Sequence, residues 1–156
     1  MADIDFMSEE DIPKAVELIA AVFDQFEAPE YPPEGIAEFL SYIREDQYRE
    51  RMASGNHIEL VAKIQGEIVG VIEVRNWDHI CLLFVAPEYH QQGLGKELFS
   101  KAIDQCRESN ETLAEITVNS SPYAELIYQK LGFEKVDEEQ VVNGIRFIPM
   151  VLKIPS

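Results

Sequence analysis

The stretch FVAPEYHQQGLGKELF, Phe84 to Phe99, has the residue types and spacing most suited to binding a charged group. An apolar run ends in a polar turn, Gly93 and Gly95 stand two residues apart, and an amphipathic pattern follows. Glycines let backbone N–H groups approach a ligand, and a helix N-terminus favours negative charge. The pattern predicts an anion cradle with N–H donors from Gln91, Gln92, Gly93, Leu94, Gly95 and Lys96.

Two familiar phosphate-binding loops do not fit this stretch. A dinucleotide fingerprint needs a third glycine three residues after Gly95, where the chain has Leu98. A P-loop needs a Gly-Lys-Ser/Thr ending and an earlier glycine, and the segment GLGKE offers neither. The predicted cradle therefore belongs to neither class.

Hydrophobic periodicity and turn residues predict the elements that position the cradle. They indicate one central sheet packed against helices, which is an α/β (α+β) fold class. Four helices are predicted. The first opens at Ser8 with a capping box to Asp11, and the second runs from about Gly35 to Met52. The third follows Gly93, and the fourth covers YAELIYQKLG. The predicted strands are DIDFM, a hairpin about Gln65-Gly66, His79 to Val85, LAEITVN, and two final strands, FEKV and IRFIPMVLKI, flanking Asn143-Gly144.

The composition limits the kinds of molecule that the chain is expected to bind. The chain has 156 residues, 46% hydrophobic, and a formal net charge of −16 from 29 acidic and 13 basic residues. Such a field repels nucleic acid and anionic membranes and attracts cations such as amines. No apolar run approaches the roughly 18 residues of a membrane span and no signal-peptide pattern appears, so a cytoplasmic protein is expected. Cys81 and Cys106 lack metal-site spacing, which predicts reduced thiols and no metal.

Two motifs resemble a known family. His90-Gln91-Gln92-Gly93-Leu94-Gly95 resembles the acetyl-CoA loop of the GNAT superfamily of N-acetyltransferases, Arg/Gln-x-x-Gly-x-Gly/Ala, with His90 in place of Arg or Gln. NSSPYAELIYQKLGF looks like a second family segment, in which Tyr128 falls at the family's tyrosine. The resemblance covers nearly the whole chain. It implies a single N-acetyltransferase domain, residues 1–156, with a mixed, mostly antiparallel sheet that is splayed at the acetyl-CoA site and flanked by about four helices.

The resemblance also implies where acetyl-CoA binds. The pyrophosphate is expected on the cradle from Gln91 to Lys96, and the pantetheine arm along Leu83, Phe84 and Val85. The N–H group near Val85 is the natural donor to the thioester oxygen as it becomes an oxyanion. Asn119 either contacts the arm or makes local turn bonds.

The implied chemistry is acetyl transfer from a thioester to an amine. A tyrosine with a pKa of ~10 holds its proton at pH 7, so Tyr128 is the predicted acid for the leaving thiolate. His79 is the first candidate base, since imidazole with a pKa near ~6.5 accepts protons at pH 7. Glu73 is the second, although its place between apolar neighbours favours an outward-facing side chain. Asp78 is a third, and many family members use ordered water instead.

The acceptor amine is less well defined. In the family it is held by the first two helices, their loop and the late hairpin, which here carry FDQFEAPEYPPEG and VVNGIRFIPM. Glu27, Glu30 and Tyr31 in the first segment predict a cationic acceptor. The expected partners are acetyl-CoA and this amine, with the choice between monomer and homodimer left open. Two alternatives stand beside the enzyme: a degenerate acyl-CoA-binding sensor or interaction module, and a scaffold without a ligand.

Overall fold

The structure, a computed structural model, describes residues 2–155. Its strands are β1 (Asp3–Phe6), β2 (His57–Ile64), β3 (Glu67–Arg75), β4 (His79–Val85), β5 (Glu115–Ser120), β6 (Glu134–Lys135), β7 (Gln140–Val142) and β8 (Ile145–Lys153). Its α-helices are α1 (Ile12–Phe26), α2 (Pro33–Tyr42), α3 (Glu45–Ala53), α4 (Leu94–Ser109) and α5 (Glu125–Lys130). Within the described residues, no helix has both the length and the apolar character needed to cross a membrane.

The strands form one mixed sheet in the order β1-β2-β3-β4-β5-β8-β6, with β7 paired to β8. Among the described strands, β4 and β5 run parallel and the other neighbours run antiparallel. Helices α1, α2 and α3 cover one face, where Ile19, Phe23 and Tyr48 are buried. Helices α4 and α5 cover the other face with Leu98 and Tyr128. The architecture confirms the predicted fold class.

Local sequence signals explain several boundaries. Ser8 and Asp11 form the predicted capping box, with the Ser8 N–H donating to Asp11 Oδ2 at 3.0 Å. Gln65 and Gly66 join β2 to β3 with φ values of 54° and 80°, as a tight hairpin turn requires.

The prediction of one continuous helix from about Gly35 to Met52 is wrong. Arg44 adopts an extended ψ of 145°, which ends one helix and lets α3 start in a new direction. The bend buries Ile43, which is 1% exposed, and inserts Tyr48 of α3 into the core. Tertiary packing therefore divides one periodic segment into two helices, which gives five α-helices within residues 2–155.

The prediction of two final strands flanking Asn143-Gly144 is also wrong. The turn joins β8 to β7, while the FEKV segment contributes only the two residues of β6, which pair elsewhere on β8. The sequence did not reveal β7 because all three of its residues are exposed and show no apolar alternation.

Candidate active site

A gap opens between the parallel strands β4 and β5. The strands pair only at His79 with Thr117 and at Ile80 with Val118. An irregularity in the β3–β4 register at Glu73 and Val74 makes Cys81 an extra residue of β4. Such a bulge bends its strand, so β4 separates from β5 after Ile80. The sheet is therefore splayed at its centre.

Backbone donors of β4 face this gap. The Ala86 N–H donates to the Val69 carbonyl of β3 at 2.8 Å. Because backbone groups alternate between the two edges of a strand, the N–H groups of Leu83 and Val85 point away from β3. Phe84 lies between them with its side chain buried against Phe39. The gap thus presents two donors along one wall.

The predicted anion cradle is open at the start of α4. Gln91 and Gly93 have φ values of 62° and 83°, and the Gly93 carbonyl accepts the Glu97 N–H at 3.0 Å. Within residues 2–155, no backbone N–H from 91 to 96 makes a well-formed hydrogen bond to another backbone group. A Cβ added at Gly93 would meet nothing within 4 Å. This run of free donors at a helix N-terminus suits an anion.

His90 braces the cradle against β4. Its Nε2–H donates to the Val85 carbonyl at 2.7 Å, and its ring centroid lies 5.2 Å from that of Phe26. The Gln92 side chain donates to the Glu88 carbonyl at 2.9 Å. The sequence pattern predicts no role for His90, and these contacts show that it joins the loop to both β4 and α1.

Tyr128 of α5 is buried close to the gap, with 6% of its surface exposed. Its ring contacts Phe133 edge-on at 5.4 Å, and its hydroxyl has no hydrogen-bond partner among the described residues. Burial raises the pKa of Tyr128 above its ordinary value, and Glu27 and Cys81 add to the rise. Burial likewise raises the pKa of the Cys81 thiol to about 12. Both groups therefore keep their protons at neutral pH.

Glu27 follows the last residue of α1 and is half-buried. Burial raises the pKa of Glu27 to about 7; the Ser121 side chain opposes this rise and the charge of Glu30 increases it. The charge of Glu27 also helps to raise the pKa of Tyr128.

Glu30 and Tyr31, the other two residues predicted to bind the acceptor amine, make contacts with β8. Glu30 is exposed, and its carbonyl accepts Arg146 Nη1 at 2.8 Å. The Tyr31 hydroxyl donates to the Arg146 carbonyl at 3.1 Å. These bonds attach the segment between α1 and α2 to β8, so Tyr31 has a structural contact besides its predicted role.

Comparison with known proteins identifies the family. A family model described as an acetyltransferase (GNAT) domain matches residues 27–154. The chain belongs to the GNAT acetyltransferase family. This confirms the resemblance that the two motifs indicated.

Individual relatives agree with the GNAT assignment. An uncharacterized N-acetyltransferase of Escherichia coli (strain K12), YafP, is 30% identical over 111 residues, covering 71% of this chain and 67% of the relative. An uncharacterized N-acetyltransferase of Archaeoglobus fulgidus is 35% identical over 74 residues, covering 41% of this chain; that match spans half the relative's length. The PaiA N-acetyltransferase of Thermoplasma acidophilum in complex with coenzyme A has the same fold, with a TM-score of 0.82, 20% identity and 99% of each chain covered.

Asn119 of this GNAT chain lies one residue beyond the last pairing of β5 with β4. It is exposed, and its side chain makes no hydrogen bond within the part of the chain that the structure describes. Its contact with a cofactor arm stays a prediction.

His79 lies at the opposite end of β4 from the cradle. Its Nδ1 lies 2.8 Å from Thr117 Oγ1, at a position where β4 and β5 are still paired. Burial lowers the pKa of His79, Arg75 lowers it further and Asp78 opposes the change. The ring is therefore neutral at pH 7 and held by a partner, and its role as a base stays a prediction.

Glu73 does not alternate outward to solvent, and that expectation is wrong. It is 0% exposed, because α2 and α3 cover this face of β3. The Tyr42 hydroxyl donates to one carboxylate oxygen, and Arg51 Nε donates to the other at 3.0 Å. Burial alone would raise the pKa of Glu73, but Glu59, Arg51 and Tyr42 hold it below its ordinary value. These contacts favour a structural anion over a base.

Glu59 lies opposite Glu73 on β2, and burial together with the neighbouring anion raises its pKa, so it is protonated. His57, Glu73 and Cys81 have ligating atoms within 4.8 Å of one another. The guanidinium of Arg51 already neutralises Glu73 there, so we assign no metal to this cluster.

Removing Arg51 tests whether Glu73 is a buried structural anion. We expect Arg51→Met to lower the free energy of unfolding by about 3–5 kcal/mol at neutral pH, because it leaves the Glu73 anion buried with one partner. Since the lowered pKa of Glu73 stabilises the fold above its ordinary value of ~4.3, the difference from wild type should shrink as acidification protonates Glu73. Urea titrations at several pH values measure this. Arg49→Met, at an exposed site on α3, is the control, and equal midpoints for both variants would contradict the assignment.

Proposed function

We propose that this chain transfers an acetyl group from acetyl-CoA to a primary amine of a small molecule or peptide, by direct attack in a ternary complex. The run of free N–H groups from Gln91 to Lys96, which follows the strand that borders the sheet gap, is the observation that supports this most. A phosphate-rich, thioester-bearing co-substrate fits both features. The PaiA structure of the same fold contains coenzyme A, which supports the choice.

The chemical groups of acetyl-CoA suggest where each part of it binds. The pyrophosphate requires several donors at one point, and the cradle supplies them. The amide-rich pantetheine arm then follows β4, where the N–H groups of Leu83 and Val85 face the gap. One of these N–H groups also stabilises the oxyanion that forms when the thioester carbonyl is attacked.

Tyr128 completes the reaction as the general acid. The amine nitrogen forms a bond to the carbonyl carbon, and the carbon–sulfur bond then breaks. The departing thiolate takes the Tyr128 proton, which burial keeps on the hydroxyl at neutral pH. A proton lost from the new amide nitrogen restores the tyrosine through solvent.

The acceptor is proposed to be cationic. The net charge of −16 and the carboxylates after α1 attract ammonium groups toward the gap. Wild-type protein tested with acetyl-CoA and a panel of amines should release CoA fastest with diamines and polyamines. Preference for neutral or anionic amines would contradict this acceptor class, whereas acetyl-CoA binding without thiol release from any amine would favour a binding module instead.

Glu30 tests the electrostatic part of this proposal. Because Glu30 is exposed, we expect Glu30→Gln to raise KM for a cationic amine at low salt and to leave the limiting rate unchanged. The difference should disappear at high salt. Glu108→Gln, an exposed change on α4, is the control, and an equal effect of both variants would show that only net charge matters.

A further inference from the structure

We propose that the cover segment, residues 27–42, is fixed across the sheet gap and restricts the acceptor to an unbranched, linear primary amine, such as one end of a linear diamine. The cover segment comprises the connection from α1 to α2 and α2 itself. Arg146 of β8 is the positioning residue that attaches it. The inference rests on the proposed acetyl transfer and deepens it, because it narrows the class of acceptor.

Helix α2 contacts the sheet on both sides of the gap. On one side, the Phe39 ring lies 5.8 Å from the ring of Phe84 on β4. On the other side, Gly35 packs against Gly144 in the turn between β7 and β8. The sheet order places β5 between β4 and β8, and the gap separates β4 from β5. A helix attached both to β4 and to the β7–β8 turn therefore crosses the gap.

The contact between α2 and the β7–β8 turn joins backbone to backbone. Gly35 and Gly144 are both buried. A Cβ added at Gly35 would overlap the Gly144 carbonyl oxygen, and a Cβ added at Gly144 would lie 2.5 Å from the Gly35 nitrogen. A side chain at either position would therefore push the helix away from the turn. Because Gly35 and Phe39 are one helical turn apart, about 6 Å along the axis, the two sides of the gap lie close together under α2.

Arg146 attaches the connection between α1 and α2 to β8. Its Nη1 donates to the Glu30 carbonyl at 2.8 Å, and its own carbonyl accepts the Tyr31 hydroxyl at 3.1 Å. Glu139 orients the guanidinium, because it accepts Nε at 2.9 Å and Nη2 at 3.2 Å. Arg146 lies beyond the last pairing of β8 with β5, so this attachment is made where the hairpin extends past β5.

The start of the cover segment is held beside the cradle. The ring of Phe26, the last residue of α1, lies 5.2 Å from the ring of His90 and 5.2 Å from the ring of Tyr123. His90 follows β4, and Tyr123 follows β5. The cover segment therefore begins between the ends of the two strands that border the gap, and continues from there to β8.

These attachments limit what can reach the thioester. Helices α4 and α5 cover the opposite face of the sheet, and the cradle lies at the start of α4, so the acceptor approaches from the face that α2 covers. A methylene chain with a terminal amine is narrow enough to pass beneath a helix that is attached on both sides. A ring next to the amine-bearing carbon, or the surface of a folded protein, would collide with the cover segment.

Two diamines of equal length and charge test this selection by width. Hexamethylenediamine is linear, and its ring analogue is a cyclohexane with aminomethyl groups on opposite carbons in the trans arrangement. Both carry their amines on methylene groups, so their basicity is closely matched. We expect wild-type kcat/KM to be about tenfold or more higher for the linear diamine than for the ring analogue, the scale on which a pocket distinguishes substrates by shape.

Arg146→Met and Gly35→Ala should both loosen the cover segment, by different means. The first removes the donor to the Glu30 carbonyl, and the second places a methyl group between α2 and the β7–β8 turn. In each variant the preference for the linear diamine should fall to within about threefold, through a higher KM for the linear diamine and a lower KM for the ring analogue. Calorimetric titration should show little change in acetyl-CoA affinity, because the cradle lies outside the cover segment.

Amide hydrogen exchange provides a readout that needs no substrate. Peptides from residues 27–36 should exchange faster in both variants than in wild type, because their attachment to the β7–β8 hairpin is weakened. Peptides from α4 should exchange at the wild-type rate. Unchanged exchange of residues 27–36 in both variants would overturn the proposed attachment.

Matched controls distinguish the positioning role of Arg146 from a structural one. Lys153→Met also removes a cation of β8 that pairs with a carboxylate, Glu115, and Ser41→Ala is an exposed change on α2. Both controls should keep the wild-type preference. If Arg146→Met lowers Tm and keeps that preference, Arg146 is only structural and the inference is overturned, whether or not Gly35→Ala folds.

Wild-type turnover separates this inference from the proposed function. If wild type acetylates both diamines equally well, the cover segment does not select by width and only this inference is overturned. If wild type binds acetyl-CoA and acetylates neither diamine nor any other amine, the proposed function is contradicted, and this inference with it.

Discussion

We expect the Tyr128→Phe variant to turn over acetyl-CoA about 10²-fold or more slowly than wild type, with nearly unchanged affinity for the cofactor. Phenylalanine keeps the ring and its edge-on contact with Phe133, and removes only the proton that the leaving thiolate needs. The hydroxyl has no protein partner among the described residues, so its loss should break no hydrogen bond within the fold. Single-turnover kinetics and calorimetric titration with acetyl-CoA measure the two quantities.

Tyr48→Phe is the matched control for this change. Tyr48 is also buried and its hydroxyl also lacks a well-formed hydrogen bond, but it lies on α3 beneath the closed part of the sheet. We expect it to keep wild-type turnover. Unchanged turnover in Tyr128→Phe, under conditions where chemistry limits the rate, would reduce Tyr128 to a packing residue.

The second large effect concerns the cradle. Gly93→Val should abolish the rise in Tm that acetyl-CoA produces in wild type by binding the folded state. Gly93 has a φ of 83°, which a β-branched residue adopts only with strain, so the loop must change its path and the aligned donors are lost. The expected result is a loss of affinity of at least ~100-fold, measured by thermal shift and calorimetry.

Gly55→Val separates strain from the loss of the cradle. Gly55 has a φ of 84° and, like Gly93, an added Cβ there meets nothing within 4 Å, but it lies in the turn before β2. Its variant should carry a similar cost in stability and keep the full acetyl-CoA shift. If acetyl-CoA raised the Tm of Gly93→Val as much as that of wild type, the pyrophosphate would not bind this loop.

The cradle was predictable because its parts are neighbours in the chain. Backbone donors from Gln91 to Lys96 come from consecutive residues, and their exposure depends on a strand end, a glycine in the left-handed region and a helix start. The same holds for the capping box at Ser8 and the turn at Gln65-Gly66. Each of these features is decided within a few residues.

The proton-handling groups were harder to predict because their properties come from distant segments. Alternation along β3 favoured an exposed Glu73, yet helices on that face bury it completely under Tyr42 and Arg51. Acidic composition suggested that Glu27 binds a cationic amine, but nothing near it in the chain reveals the burial that raises its pKa to about 7. A bend at Arg44 similarly depends on where Tyr48 must pack.

The amino-acid sequence alone determined the fold class, the family resemblance, the cradle and the tyrosine at its expected segment, because periodicity and local motifs encode them. Only the tertiary structure decided that Arg51 neutralises the Glu73 carboxylate and that burial raises the pKa of Glu27 to about 7. The physical reason is that proton affinity depends on burial and neighbouring charge. Glu73 pairs with an arginine from α3, whereas no lysine or arginine pairs with Glu27 among the described residues, and only chain folding creates this difference.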